Sequence, residues 1–271
     1  MHTALTIAGS DSSGGAGIQA DLKTFAAFGL YGVSAITAVT AQSTKGIEAT
    51  FALPADVVTA QIEAVAGDMP IRATKVGMLA NAAIVEAVTA AIEELDLPLV
   101  VVDPVLVSSS GERLLDEDGV RALCAELLPR ARLVTPNLPE AEALSGRRIS
   151  STDEAREAAR RILDMGPAAV IITGGHRTTN AEPRTTNAEI VDLLFDGHVF
   201  HELRIARVES RHTHGTGCTY ASAVTAGLAL GQELPDAAAR AQSYVAGAIR
   251  HAPGLGHGRG PLDHFWQQRA R

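Results

Sequence analysis

Short apolar runs rich in Val and Ile alternate along this chain with longer Ala-rich stretches of helical period. The runs at 4–9 (ALTIAG), 33–41 (VSAITAVTA), 73–78 (ATKVGM), 99–105 (LVVVDPV), 132–137 (RLVTPN) and 168–175 (AAVIITGG) predict strands. Between them, the spacing predicts helices over 17–28, 55–66, 81–95, 117–128, 139–145 and 152–164. Alternating strands and helices of this kind indicate an α/β fold, with a mainly parallel sheet covered by helices on both faces. After residue 190 the pattern changes: IVDLLFDGHVFHELRIARV, at 190–208, holds two runs broken at Asp196-Gly197, which is a hairpin signal. Helices at 216–230 and 235–250 follow. No Pro/Gly/Ser-rich linker interrupts the series, so the chain reads as one domain over 1–271.

Composition narrows the partners more than the fold. The 271 residues are enough for a substantial core, with 46% hydrophobic and 20% charged residues. A net charge of -8, with no dense run of Lys or Arg, leaves no basic surface for nucleic acid. MHTALTIAGS is not a cationic segment followed by a long apolar run, and no stretch approaches the ~18 apolar residues of a membrane span. A cytoplasmic protein without membrane partners is therefore expected. Cys124 and Cys218 form no CxxC pair and read as free thiols of a reducing compartment. RTTNAE at 177–182 recurs at 184–189. One short duplication is no solenoid repeat, and it reads as a lengthened polar loop, either a solvated insertion or a mobile cover.

The densest chemistry lies in HTHGTGC, residues 212–218. Gly215, Thr216 and Gly217 lead into a stretch of small residues, so they form a glycine turn opening a helix. The first N–H groups of such a helix are unpaired and its dipole favours an anion. Cys218 sits in that first turn. A second glycine turn, GSDSSGGAGIQADLKTF, follows the first strand, and Gly15, Gly17 and Ala20 fit GxGxxA. The acid which that dinucleotide fingerprint needs at the end of the second strand is missing, because Thr40, Ala41 and Gln42 stand there. GxxxxGK[ST] is absent too. His212 and His214 form an HxH with no evident third metal ligand. Asp103 and Gln42 end apolar strands, at the edge where open parallel sheets bind ligands. The Gln42 carboxamide offers an acceptor and a donor side by side, suited to an amino group beside a ring nitrogen. NLPE at 137–140 reads equally well as a helix N-cap with Pro139 in the first turn.

Seven ordered motifs carry a resemblance: AGSDSSGGAGIQADLKT (8–24), VTAQST (39–44), TKVGML (74–79), VVDPV (101–105), TPNLPEAEAL (135–144), TGGH (173–176) and HGTGC (214–218). Together they resemble the bacterial hydroxymethylpyrimidine and phosphomethylpyrimidine kinases of thiamine biosynthesis, members of the ribokinase-like superfamily. The resemblance implies a three-layer ribokinase-like fold, a homodimer, and ATP- and Mg2+-dependent phosphorylation of 4-amino-5-hydroxymethyl-2-methylpyrimidine and then of its monophosphate. It implies that Gly215, Thr216 and Gly217 form the anion hole for the transferring phosphoryl group. It places Gln42, Asp21, Met78 and Val105 around the pyrimidine, and Asp103, Asn137, Glu140 and Thr173 near the nucleotide, with Glu140 and Asp103 toward Mg2+. Two departures matter. Thr173 stands where many members carry Lys, and Cys218 where most ribokinase-like kinases carry an Asp base. Cys218 is then either a thiolate base with a pKa lowered by the helix N-terminus, or a neutral substitute that spares an anionic acceptor from repulsion. A pyridoxine or pyridoxal kinase, a non-catalytic pyrimidine- or nucleotide-binding regulator and a dehydrogenase are the rival readings.

Overall fold

The computed structural model describes residues 1–108, 111–174 and 189–269. Nine strands among these residues form one sheet. In chain order they are β1 (Thr3–Asp11), β2 (Tyr31–Ser43), β3 (Gly46–Ala52), β4 (Ile71–Val76), β5 (Val100–Val102), β6 (Leu133–Val134), β7 (Val170–Ile172), β8 (Glu189–Phe195) and β9 (Phe200–Ala206), and they lie side by side as β3-β2-β1-β4-β5-β6-β7-β8-β9. The six strands from β2 across to β7 are parallel, and antiparallel β3, β8 and β9 extend the two sides. The expected hairpin is β8-β9, turning at Asp196 and Gly197, where Asp196 Oδ1 accepts the His198 and Val199 N–H groups.

Period-two alternation along the buried strands divides their side chains between two cores. Leu5, Ile7, Val100, Val102, Val134, Val170 and Ile172 point into one. Ala4, Val101, Leu133 and Ile171 point into the other. The first core is closed by α2 (Ala55–Ala66), α3 (Ala82–Glu94), α4 (Glu117–Ala122), α5 (Leu138–Ser145) and α6 (Thr152–Leu163). The second is closed by α1 (Gly17–Ala27), α7 (Thr216–Ala229) and α8 (Leu234–Arg250). Strands buried on both faces show a continuous apolar run rather than alternation with polar residues. α7 is made almost wholly of small residues, which lets it lie against both α1 and the sheet.

Three expectations need correction. β3 has no counterpart among the predicted strands: most of its residues are exposed, and GIEATFA has no buried apolar run to announce it. The helix expected over 117–128 is regular only to Ala122, then widens into a π-turn over Leu123–Leu127 and tightens into a 3₁₀ turn over Leu128–Arg130. The strands expected over 99–105, 132–137 and 168–175 shrink to two or three paired residues each, because the chain leaves the sheet early to form loops at the strand ends. The RTTNAE duplication lies, up to residue 188, outside the described residues.

Candidate active site

Parallel strands share a direction, so whatever follows each of them arrives at one edge of the sheet. Asp11 and Gln42 lie at the ends of β1 and β2, while Met78, Asp103, Asn137 and Thr173 follow β4, β5, β6 and β7. The start of α7 closes over the same edge. Gly215 caps it with φ +83°, and a Cβ there would lie 1.8 Å from the Gly15 carbonyl oxygen. Only glycine permits both the left-handed backbone and that approach. Gly17 is similarly tight, since its Cβ would lie 2.3 Å from Gly9 O. The glycines of the GxGxxA match therefore serve the contact between the two turns, and the dinucleotide reading has no support in the fold.

Cys218 lies where the two helix starts meet. It is half-buried there, and the Asp103 carboxylate and the Lys75 ammonium are among the charges that act on it. Burial pushes the thiol up to about 12; the Lys75 charge opposes this shift, and Asp103 and Asp21 add to it. Loss of water and the Asp103 and Asp21 charges act against a thiolate at Cys218, while the Lys75 ammonium favours one. Beneath Gly217 is Asp103, whose two carboxylate oxygens would lie 3.9 and 4.0 Å from a Cβ at that glycine. Asp103 is buried, and its Oδ2 has no hydrogen-bond partner.

Asn137 and Glu140 form a capping box on α5: Asn137 Oδ1 accepts the Glu140 N–H at 3.0 Å, and Glu140 Oε2 accepts the Asn137 N–H at 3.0 Å. The helix-cap role that NLPE suggested is thus real, and it aims Glu140 inward. Burial raises the Glu140 carboxyl, and Asp103 raises it further; burial likewise raises Asp103, against the attraction of Lys75. Two buried acids, one raised by the charge of the other and one with an unpartnered oxygen, are the kind of donors a divalent cation relieves. Thr173 bridges to Asn137 across adjacent strands, and its N–H donates to Pro136 O at 3.0 Å.

The four pyrimidine candidates do not share one surface. Gln42 lines a cavity of about 440 Å3 with Thr44, Lys45, His214 and Arg259. Its Oε1 lies 3.0 Å from Thr40 Oγ1 and its Nε2 lies 3.4 Å from His214 Nε2. Met78 faces a separate hollow of about 320 Å3 beside Ala80 and Leu115, with its sulfur against Gly9. Val105 is half-buried and its N–H turns back onto Asp103 O. Asp21 is wholly buried and lines neither of these two hollows. Its oxygens accept from Thr6 Oγ1 at 2.7 Å and Ser222 Oγ at 2.6 Å, and pair with Lys75 Nζ at 3.0 Å.

Lys75 and Asp11 escaped the sequence reading, and His214 entered it only as half of an HxH. Lys75 is a charge inside an apolar strand, a signal in its own right, since lysine is almost never fully buried unless paired. Asp11 and His214 stand 203 positions apart, and their Oδ2 and Nε2 atoms meet at 2.8 Å. Burial raises the Asp11 carboxyl, but hydrogen bonds from His214, Ser13 and Ala16 outweigh it and hold the group at about 2. His214 is thus tied to the first turn as a hydrogen-bonding partner of Asp11. Among the described residues no cluster of three or more His, Cys, Asp or Glu side chains is grouped to hold a metal.

A protein-family model described as phosphomethylpyrimidine kinase matches residues 11–263. The chain belongs to the phosphomethylpyrimidine kinase family. It is 47% identical over 262 residues to the hydroxymethylpyrimidine/phosphomethylpyrimidine kinase of Streptomyces coelicolor, covering 97% of this chain and 94% of that one. This phosphomethylpyrimidine kinase family member superimposes on the crystal structure of Clostridium difficile phosphomethylpyrimidine kinase with a TM-score of 0.80 and 41% identity, over 92% of this chain and all of the other. It is also similar to an ADP complex of Bacillus subtilis pyridoxal kinase, with a TM-score of 0.87 and 37% identity over 99% of both chains. The ribokinase-like α/β fold is the one observed.

Proposed function

We propose that this chain, acting as one domain, transfers the γ-phosphoryl group of ATP to the 5-hydroxymethyl oxygen of 4-amino-5-hydroxymethyl-2-methylpyrimidine and then to the resulting monophosphate. The observation that carries this reading is the convergence at one sheet edge of the Gly215–Gly217 turn, the Asp103 and Glu140 acids and the Gln42 amide. In each round the acceptor oxygen bonds to phosphorus, the bond from phosphorus to the ADP oxygen breaks, and ADP leaves; in the first round the alcohol's proton passes to the transferred phosphoryl oxygens and from there to water. Such a reaction needs positioning and charge stabilisation more than covalent help. The Gly215–Gly217 turn holds the transferring group through its backbone N–H groups, with the Thr216 N–H first released from Thr213 O, to which it donates at 3.3 Å. Gln42 pairs with the 4-amino group and its neighbouring ring nitrogen, and Met78 and Val105 flank the ring. Asp103 and Glu140 would hold Mg2+, which neutralises charge on the nucleotide phosphates; Asn137 and Thr173 stand beside them. Cys218 stays a neutral thiol. The monophosphate acceptor, with a second pKa near ~6, is already anionic at neutral pH and needs little base assistance. We also read the active species as a homodimer.

One observation favours a vitamin B6 kinase as the second reading, namely the superposition on the Bacillus subtilis pyridoxal kinase at a TM-score of 0.87. A panel of acceptors separates the two. With ATP and Mg2+, ADP release and 31P spectra of the products are recorded for the pyrimidine alcohol, its monophosphate, pyridoxine and pyridoxal. Turnover of both pyrimidines with kcat/KM at least about tenfold above the B6 vitamers is expected, a gap of ~1.4 kcal/mol. No turnover of the monophosphate would overturn the proposal.

A further inference from the structure

Lys75 is the second residue from the end of β4, wholly buried between the two acidic walls of the site. Its Nζ lies 3.0 Å from Asp21 Oδ2 and 3.9 Å from Asp103 Oδ2. On the inner side Asp21 is fully satisfied: Thr6 and Ser222 hydroxyls hold it, so the ammonium has a fixed anchor. On the outer side Asp103 Oδ2 has no hydrogen-bond partner, and among the described residues the Lys75 ammonium is the cation paired with it. Room for that ammonium is built into the backbone, since a Cβ at Gly77 would come within 2.6 Å of Nζ.

A buried ion pair contributes little net stability, because the desolvation cost of its charges is comparable to their attraction. For stability alone, an apolar side chain at position 75 and a neutral one at 21 would serve as well. What such a pair cannot do is hold a third, outward-facing carboxylate. We propose that Lys75 is a positioning residue: anchored on Asp21, its ammonium fixes the Asp103 carboxylate beneath the Gly215–Gly217 turn and offsets its charge there. Burial disfavours the charged lysine, but the Asp21 and Asp103 carboxylates outweigh this and keep it protonated. Asp103 is thus held from below by Lys75. The same offset limits how tightly Asp103 draws a divalent cation, leaving the ion free to follow the nucleotide.

This inference rests on the kinase reading only for its kinetic arm. Mn2+ binding to the nucleotide-free protein, followed by loss of the free-ion EPR signal, tests it without turnover. Lys75→Met combined with Asp21→Asn removes the ion pair as a unit and leaves Asp103 without its cation. Mn2+ affinity should rise at least tenfold, and kcat for both pyrimidines should fall about a hundredfold with acceptor KM changed less than threefold. Asp21→Asn alone should act in the opposite direction on the ion, because the ammonium then leans on Asp103, and Mn2+ affinity should drop at least threefold. Either variant binding Mn2+ as the wild type does, or the double variant keeping kcat within threefold, overturns the positioning role. Wild-type protein inactive on every acceptor would instead defeat the kinase reading and leave the Mn2+ result standing. If the double variant does not fold, the single variant decides by the direction of its Mn2+ shift.

Discussion

Cys218→Asp restores the carboxylate that most ribokinase-like kinases carry, and its consequence follows from what surrounds position 218. The Asp103 charge acts on position 218, and Lys75 Nζ faces that carboxylate at 3.9 Å. Two unit charges about 4 Å apart repel by about 4 kcal/mol at an effective dielectric of 20. Attraction to Lys75 offsets part of this, so roughly half survives. An alcohol acceptor brings no charge and feels none of it. A phosphomonoester dianion arriving at the same turn does, and ~2 to 3 kcal/mol corresponds to roughly two decades in rate. Steady-state kcat/KM by coupled ADP release should therefore fall about a hundredfold with the monophosphate and less than tenfold with the alcohol. Cys218→Ser, neutral and of similar shape, should lower the two acceptors in parallel. Equal losses for both acceptors in Cys218→Asp would refute the charge argument.

Other perturbations reach different parts of the structure. Gly215→Ala forces a Cβ against the Gly15 carbonyl on a backbone with φ +83°, and thermal unfolding should show Tm lowered by at least about 5 °C; an unchanged Tm would mean that the two turns do not touch. Gln42→Leu removes the amide proposed to read the 4-aminopyrimidine and should raise acceptor KM about tenfold or more while leaving ATP KM unchanged, as expected for a bidentate pair worth ~1 to 3 kcal/mol. Burial lowers the His264 imidazole to about 4, and the Lys23 charge adds to this. Its folded pKa lies below the unfolded value of 6.5, so the stability it contributes is complete above pH 6.5 and is lost as pH falls through 4. The loss is about 3 kcal/mol. Guanidinium unfolding between pH 7 and 4 should show a markedly flatter acid limb in His264→Asn than in the wild type.

Features set by near neighbours in sequence were readable before any tertiary structure. The strand runs at 4–9 and 73–78, the hairpin at Asp196-Gly197 and the start of α7 after Gly215 depend on local periodicity and turn chemistry, and the fold reproduces them. NLPE was legible as a cap for the same reason, since a capping box spans only three residues. β3 was not legible, because an exposed edge strand has no apolar face to write into the chain. The widened turn at Leu123–Leu127 was hidden too, since nothing in LCAEL departs from a helical pattern.

The sequence by itself determined the alternation of strand and helix, the glycine turn with its thiol and the family to which these motifs point. It did so because those properties reside in contiguous residues. The surroundings of Cys218, the burial of Asp21 against Thr6 and Ser222 and the insertion of Lys75 between two acids were decided only when β4 settled between β1 and β5. Charges in a low-dielectric interior interact over distances that have no counterpart along the chain, and the order of the strands sets those distances.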